Sequence, residues 1–165
     1  MTHAMTTDVQ IRPADEHDAA LILDMINALA VYEKLAHAVT ATEQSIRESL
    51  FGPRPAAEVI IAEAGGRPAG FALFFHNYST FLAQRGLYLE DLFVKPEYRG
   101  RGVGRALLQR LAAIAVERNC GRFEWSVLDW NEPAIGFYKK LGAVPMDEWT
   151  IFRVTGDALR RLAGR

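Results

Sequence analysis

Two groups of residues in this chain have types and spacing suited to chemistry. Glu90 and Asp91 stand inside the apolar run Leu87 to Val94, where an unpaired charge is expensive and rarely idle. They suit the binding of a cation or the removal of a proton. The structural alternatives are an exposed edge position or an ion pair with a nearby arginine. Simple alternation sends the two side chains to opposite faces of a strand, so both line one site only if a bulge intervenes. The second group follows at once: Arg99-Gly100-Arg101-Gly102-Val103-Gly104-Arg105. Alternating glycines let the backbone turn its N–H groups toward a ligand, the helix start adds unpaired donors, and the arginines add fixed positive charge. Such a loop is an anion cradle for a diphosphate, or else a glycine-rich turn with solvated arginines. A triphosphate-binding loop would need Gly-Lys-Ser/Thr, which is missing, and a dinucleotide fingerprint would need a third glycine where Arg105 or Leu107 stands.

The elements that must position these groups are legible around them. Leu87 to Val94 has strand composition, and Lys95-Pro96 ends its ladder because proline has no N–H to donate. From Val103 the apolar residues Val103, Leu107, Leu111 and Ile114 recur at the spacing of one helix face. The unit is therefore strand, glycine loop, helix. Upstream, Val9–Arg12 is a short strand, Asp15 caps a helix that runs out near Tyr32–Lys34, and Thr40-x-x-Glu43 is expected to open a second, shorter helix. Glu58 to Ala64 and Ala69 to Phe75 form a hairpin about Gly65-Gly66, and His76 to Gly86 is expected as a longer loop. Downstream, Phe123 to Leu128 alternates as a parallel strand, and Asn131 or Glu132 caps a helix that Gly142 stops. Trp149 to Val154 is expected as a final strand before a short terminal helix. The fold class is α/β, an α+β mixed sheet that is mostly antiparallel with one parallel crossover, flanked by helices.

Composition bounds the partners. A chain of 165 residues that is 50% hydrophobic can fill one core, so a single domain over 1–165 is expected. Nineteen basic and twenty acidic residues leave a net charge of −1, which gives no global attraction to nucleic acid or membrane. One cysteine, Cys120, excludes an internal disulfide framework, and the start M-T-H-A-M-T-T has no signal-peptide pattern, so the expectation is cytoplasmic. His3, His17, His37 and His76 show no metal-ligand spacing, and no metal is expected. Cys120 reads as a buried small residue, and His76 as a surface one.

The pattern Arg99-x-x-Gly102-x-Gly104, flanked by strand and helix, resembles the acetyl-CoA pyrophosphate loop of the GNAT N-acetyltransferases. Trp130-Asn131-Glu132-Pro133-Ala134-Ile135, leading to Phe137-Tyr138 and Gly142-Ala143, resembles that family's second acetyl-CoA motif. Tyr32-Glu33, Leu87 to Asp91, Tyr98-Arg99-Gly100 and Trp130 to Pro133 together resemble the diamine acetyltransferases, the spermidine/spermine and thialysine group, over nearly the whole chain. The resemblance implies that Leu92, Phe93 and Val94 offer backbone to the pantetheine, and that Gly100, Arg101, Gly102, Val103, Gly104 and Arg105 hold the pyrophosphate. It implies that Asn131 helps to fix the cofactor and that Tyr138, otherwise a boundary tyrosine, acts as general acid. Glu90 would draw the proton from the amine through water, and Tyr32, Glu33 and Asp91 would bind the acceptor.

Acyl transfer from a thioester suits this set. An alkylammonium, with a pKa of about 10.4, must lose a proton before it attacks, and the departing thiolate is helped by an acid. The implied activity is direct transfer from acetyl-CoA to a small amine in a ternary complex, by a homodimer. The competing readings are a non-catalytic acyl-CoA sensor and an enzyme acting on protein or peptide amines. One departure is visible. His76-Asn77-Tyr78-Ser79-Thr80-Phe81 lacks the carboxylate that polyamine enzymes carry there, which weakens the case for a long polycation and makes a shorter diamine, or an amino acid analogue with a side-chain amine, as plausible.

Overall fold

In a computed structural model, described over residues 8–165, the chain divides into two compact units, the first ending at Ser126 and the second Val127–Arg165. His3 and the rest of the first seven residues lie outside the described residues.

The first unit is a five-stranded sheet in sequence order: β1 (Val9–Pro13), β2 (Glu58–Ala64), β3 (Arg67–Ser79), β4 (Gln84–Val94) and β5 (Arg122–Trp125). The first four pair antiparallel, and β5 lies parallel to β4. A parallel neighbour requires a crossover, and α3 (Val103–Glu117) is that crossover. Its stripe of Val103, Leu107, Leu111 and Ile114 is buried, and the helix packs over β1 to β4. α1 (Ala19–Tyr32) and α2 (Glu43–Phe51) form the other layer. Ile22, Met25, Leu29 and Ile46 meet Val59, Ile61, Phe71 and Phe93 there in one apolar cluster. Arg12 of β1 ties the helical layer to the sheet, donating to both carboxylate oxygens of Asp18 at 2.8 and 2.9 Å and to Glu63 at 2.7 Å.

Several sequence expectations are corrected. Asp15 caps a single 3₁₀ turn, Glu16–Asp18, which runs directly into α1. The cap of α2 is Thr42 in place of Thr40: its hydroxyl accepts from the Ser45 N–H, and the Ser45 hydroxyl accepts from the Thr42 N–H as the expected Glu43 carboxylate would have done for Thr40. His76 to Gly86 is no long loop. β3 continues to Ser79 and pairs back along β4 from Gln84, so only Thr80–Ala83 turns, because the partner strand supplies a ladder that polar residues accept as readily as apolar ones. β5 stops at Trp125, short of Leu128.

In the second unit, α4 (Glu132–Lys140) starts at an Asn131 cap with Pro133 in its first turn, and α5 (Gly156–Leu162) ends the chain. The expected strand Trp149–Val154 is not formed. Trp149, Ile151 and Phe152 are exposed and the segment has no ladder partner among the described residues, and strand propensity holds no backbone without one.

Candidate active site

The bulge that both carboxylates need is present in β4. Leu73 pairs with Asp91 but the next residue, Phe74, pairs with Leu89, so Glu90 is the inserted residue with no partner on β3. The insertion switches faces. Leu87 and Leu89 lie opposite His76 and Phe74, both of which touch Arg118 after α3, whereas Asp91 and Phe93 lie opposite Leu73 and Phe71 on the α1 side. Without it, Leu87, Leu89, Asp91 and Phe93 would share one face.

Asp91 is half-buried and Glu90 exposed, with the half-buried Glu33 capping the C-terminus of α1. Burial, and then the charges of Glu90 and Glu33, push the Asp91 carboxyl up to about 6. Burial alone raises Glu33. The charges of Glu90 and Glu33 both act on Asp91, and no cation of the chain is among the causes of its shift, an arrangement suited to a positively charged ligand.

The same place is open along the backbone. Pairing between β4 and β5 ends at Leu89–Trp125, so beyond Leu89 the edge of β4 away from β3 has no strand on it among the described residues. Leu92, Phe93 and Val94 lie along that stretch. The glycine loop comes next. Gly100 and Gly102 have φ of 76° and 82°, the left-handed region, and a Cβ on either would meet no atom within 4 Å. Gly102 is the N-cap of α3 and provides no side-chain cap, which leaves the first-turn N–H groups to an incoming acceptor. Unfilled space, unpaired donors and an exposed Arg105 fit a diphosphate. Arg101 lies over the Tyr98 ring, its Cζ 5.7 Å from the centroid. Arg99 turns back instead, its Nε donating to the Val94 carbonyl at 3.1 Å.

In the second unit, the Asn131 side-chain oxygen accepts from the Ala134 N–H at 3.4 Å, so this residue organises the helix start that follows it. Tyr138 is half-buried in the last turns of α4, its ring 5.8 Å from that of Phe137.

This constellation, a strand splayed from its neighbour beside a glycine-opened helix, agrees with what comparison with known proteins finds. The acetyltransferase (GNAT) family model matches residues 23–143. The chain belongs to the GNAT family. A thialysine N-epsilon-acetyltransferase of Sus scrofa is 42% identical over 95% of this chain and 98% of its own length. L-ornithine N5-acetyltransferase NATA1 of Arabidopsis thaliana is 35% identical, over 93% and 87%. Among solved structures, an integron cassette protein from the mobile metagenome of V. cholerae superposes with a TM-score of 0.79 at 30% identity, covering 95% of this chain and 98% of that one. This GNAT chain is thus an acetyltransferase acting on amines, of the kind in which the thialysine and spermidine/spermine-like enzymes are found.

One arrangement escaped the sequence. Cys120 lies 3.8 Å from His76 Nδ1, a pairing used elsewhere to activate a thiol. Here it does not. Arg118, which can only donate, is 2.8 Å from His76 Nε2, so the ring proton sits on Nδ1 and points to the Gly86 carbonyl at 3.1 Å. No ring nitrogen is left to take the thiol proton. His76 is a structural link between β3 and the end of α3, half-buried and not a surface residue.

The Asp91 environment makes a pH prediction. Its carboxyl is raised in the fold, so its contribution to stability is complete below the unfolded value near 3.8 and is lost as pH rises through about 6. Asp91→Asn should therefore stabilise the protein by about 2–3 kcal/mol at pH 8 and leave it unchanged at pH 4. Denaturant melts at the two pH values check this; an equal effect at both would show that the carboxyl is not held up.

Proposed function

We propose that this enzyme moves an acetyl group from acetyl-CoA to the side-chain amine of a small dicationic acceptor, a diamine or an amino acid such as thialysine or ornithine, by direct transfer in a ternary complex. The observation that carries the reading is the acidic group about the bulge at Glu90: the charges of Glu90 and Glu33 both act on Asp91, which lies on the stretch of β4 that has no strand on its far edge among the described residues. Three carboxylates exceed what one ammonium needs. The relatives named for thialysine and ornithine support the class, since both molecules carry two ammonium groups.

In this reading Gly100 to Arg105 hold the pyrophosphate through backbone N–H groups and arginine charge, Leu92 to Val94 offer backbone to the pantetheine, and Asn131 helps to fix the cofactor. Acetyl-CoA, when bound, supplies an activated acetyl thioester. Glu33, Asp91 and Tyr32 hold the distant ammonium, which fixes the length of the acceptor. Glu90, exposed to water, draws the proton from the reacting nitrogen through a bridging water, and the Tyr138 hydroxyl gives a proton to the departing sulfur. The homodimer and the cytoplasmic setting belong to the same proposal. No helix among the described residues is long and apolar enough to cross a membrane. Light scattering on the purified protein tests the dimer.

A screen of acetyl acceptors read out by free CoA tests the reading; a peptide N-terminus proving the better substrate overturns it. Two variants sharpen it. Glu33→Gln should raise KM about ten-fold for a dicationic acceptor with little change in kcat, because that contact exists equally in the ground and transition states, and should not affect a monoamine of the same length. Tyr138→Phe should keep CoA affinity and lower kcat about ten-fold or more; turnover equal to wild type at saturating substrate would assign the proton to water.

A further inference from the structure

The acids of β4 have an aromatic neighbour that the reaction above does not use. Phe75 pairs with Tyr88 across β3 and β4, and this is the next pair to Leu73 and Asp91 on the same face, since Phe74 and Leu89 between them lie on the other. Two steps along a strand span about 7 Å, so the two aromatic side chains start one same-face position away from the Asp91 carboxyl. Their rings are 5.2 Å apart at 37°, and both are half-buried. The Tyr88 hydroxyl is engaged, 2.7 Å from that of Ser126, so the ring is what this side chain has left to offer a ligand. Carboxylates and ring faces recognise a cation in different ways. A primary ammonium presents three N–H donors, which carboxylate oxygens accept. A quaternary ammonium presents none, and it is held by an opposite charge together with ring faces, at a place where little water competes. Asp91, whose shift has burial as its largest cause, with Phe75 and Tyr88 beside it, meets the second set of needs as well as the first.

We propose that Tyr88 and Phe75 are specificity-determining residues of the acceptor site: with Asp91 they receive the distant cation by charge and ring face, without need of its N–H groups, so that amines whose other end is a trimethylammonium group are acetylated as well as diamines. The inference rests on the acceptor reading above and extends its substrate class. The quaternary end has no N–H and cannot take the acetyl group, so the new C–N bond forms only at the primary amine, and the C–S bond of the thioester breaks. Of the two protons that the reacting ammonium gives up, one goes to the departing thiolate and one to solvent.

Steady-state kinetics of the full chain at saturating acetyl-CoA test this, with four acceptors: propylamine, propanediamine, (aminopropyl)trimethylammonium, and the neutral tert-butyl isostere of the last, in which carbon replaces the quaternary nitrogen. In the wild type the trimethylammonium acceptor should have a KM within about five-fold of the diamine, and a kcat/KM about ten-fold or more above that of its neutral isostere. Tyr88→Leu should raise KM for the trimethylammonium acceptor about five-fold more than for the diamine, whose N–H groups still meet the carboxylates, with no change in CoA affinity. Tyr88→Phe, which keeps the ring and loses the bond to Ser126, should restore the preference lost with leucine. The comparison of the two isosteres needs no variant, so it decides the matter even where a variant does not fold. A trimethylammonium acceptor no better than its isostere, while the diamine is preferred to propylamine, overturns the inference and leaves the acidic site in place. Equal losses for both cationic acceptors in Tyr88→Leu also overturn it, since the ring then serves packing alone. If the diamine is no better than propylamine, the acceptor reading itself fails, and the extension with it.

Discussion

Gly102→Asp should abolish CoA binding, raising Kd by about 100-fold or more, in a protein that melts close to the wild-type temperature. Gly102 has φ 82° and ψ 9°, and beyond its chain neighbours nothing lies within 4 Å of the place where a Cβ would stand, so the first atom of an added side chain has room. The backbone conformation costs about 1 kcal/mol for an L residue, least for Asp and Asn. Aspartate ahead of a helix also complements the positive end of the helix dipole, which offsets part of that cost. The fold is therefore spared. The ligand is not, because in the proposed reading the open space around Gly102 is the diphosphate cradle, and a carboxylate there would both fill it and repel the diphosphate. Loss of two charge-assisted contacts, at roughly 1.5–3 kcal/mol each, already amounts to the stated factor. Calorimetry with CoA beside a thermal melt checks both halves; unchanged affinity would reduce the loop to a turn.

How much of this could be read from the chain depends on how local the cause is. α3 was legible because a stripe at Val103, Leu107, Leu111 and Ile114 requires only that the residues follow one another in a helix, and the Asn131 cap and the glycine loop are equally local. The failures share a distant partner. The extension of β3 through Ser79 is dictated by Gln84–Leu87 across the turn and not by the polar residues themselves. The Trp149–Val154 segment has strand composition but no ladder partner among the described residues. The bulge at Glu90 leaves no mark on residue type, since an extra residue in a strand reads as one more step of alternation; the only hint was that two adjacent acids in an apolar run needed the same face. The Arg99 guanidinium lies over the ring of Tyr32, 67 positions away in the chain, and no spacing within the loop announces it.

Glu90→Gln should lower kcat for a dicationic acceptor by about 100-fold while changing KM little, the lower end of what removal of a general base costs when a water carries the proton. The substitution keeps size and shape, so the bulge and the position of Asp91 are retained and only the capacity to accept a proton is lost. Exposure suits Glu90 to this role, because a bridging water must reach it, and as the inserted residue it has no cross-strand partner on β3 to restrict its side chain. Asp91 differs. Its carboxyl, pushed up to about 6 by burial and by its two acidic neighbours, becomes a good ligand when a second ammonium arrives, because an opposite charge favours the ionised form and offsets both causes. KM for the dicationic acceptor should therefore fall as pH rises from 5.5 to 7.5, and Asp91→Asn should raise KM and flatten that dependence. Steady-state kinetics of the two variants across this range separate the roles. If Asp91→Asn loses kcat and Glu90→Gln keeps it, the proton goes to Asp91, and Glu90 is the residue that only holds the acceptor.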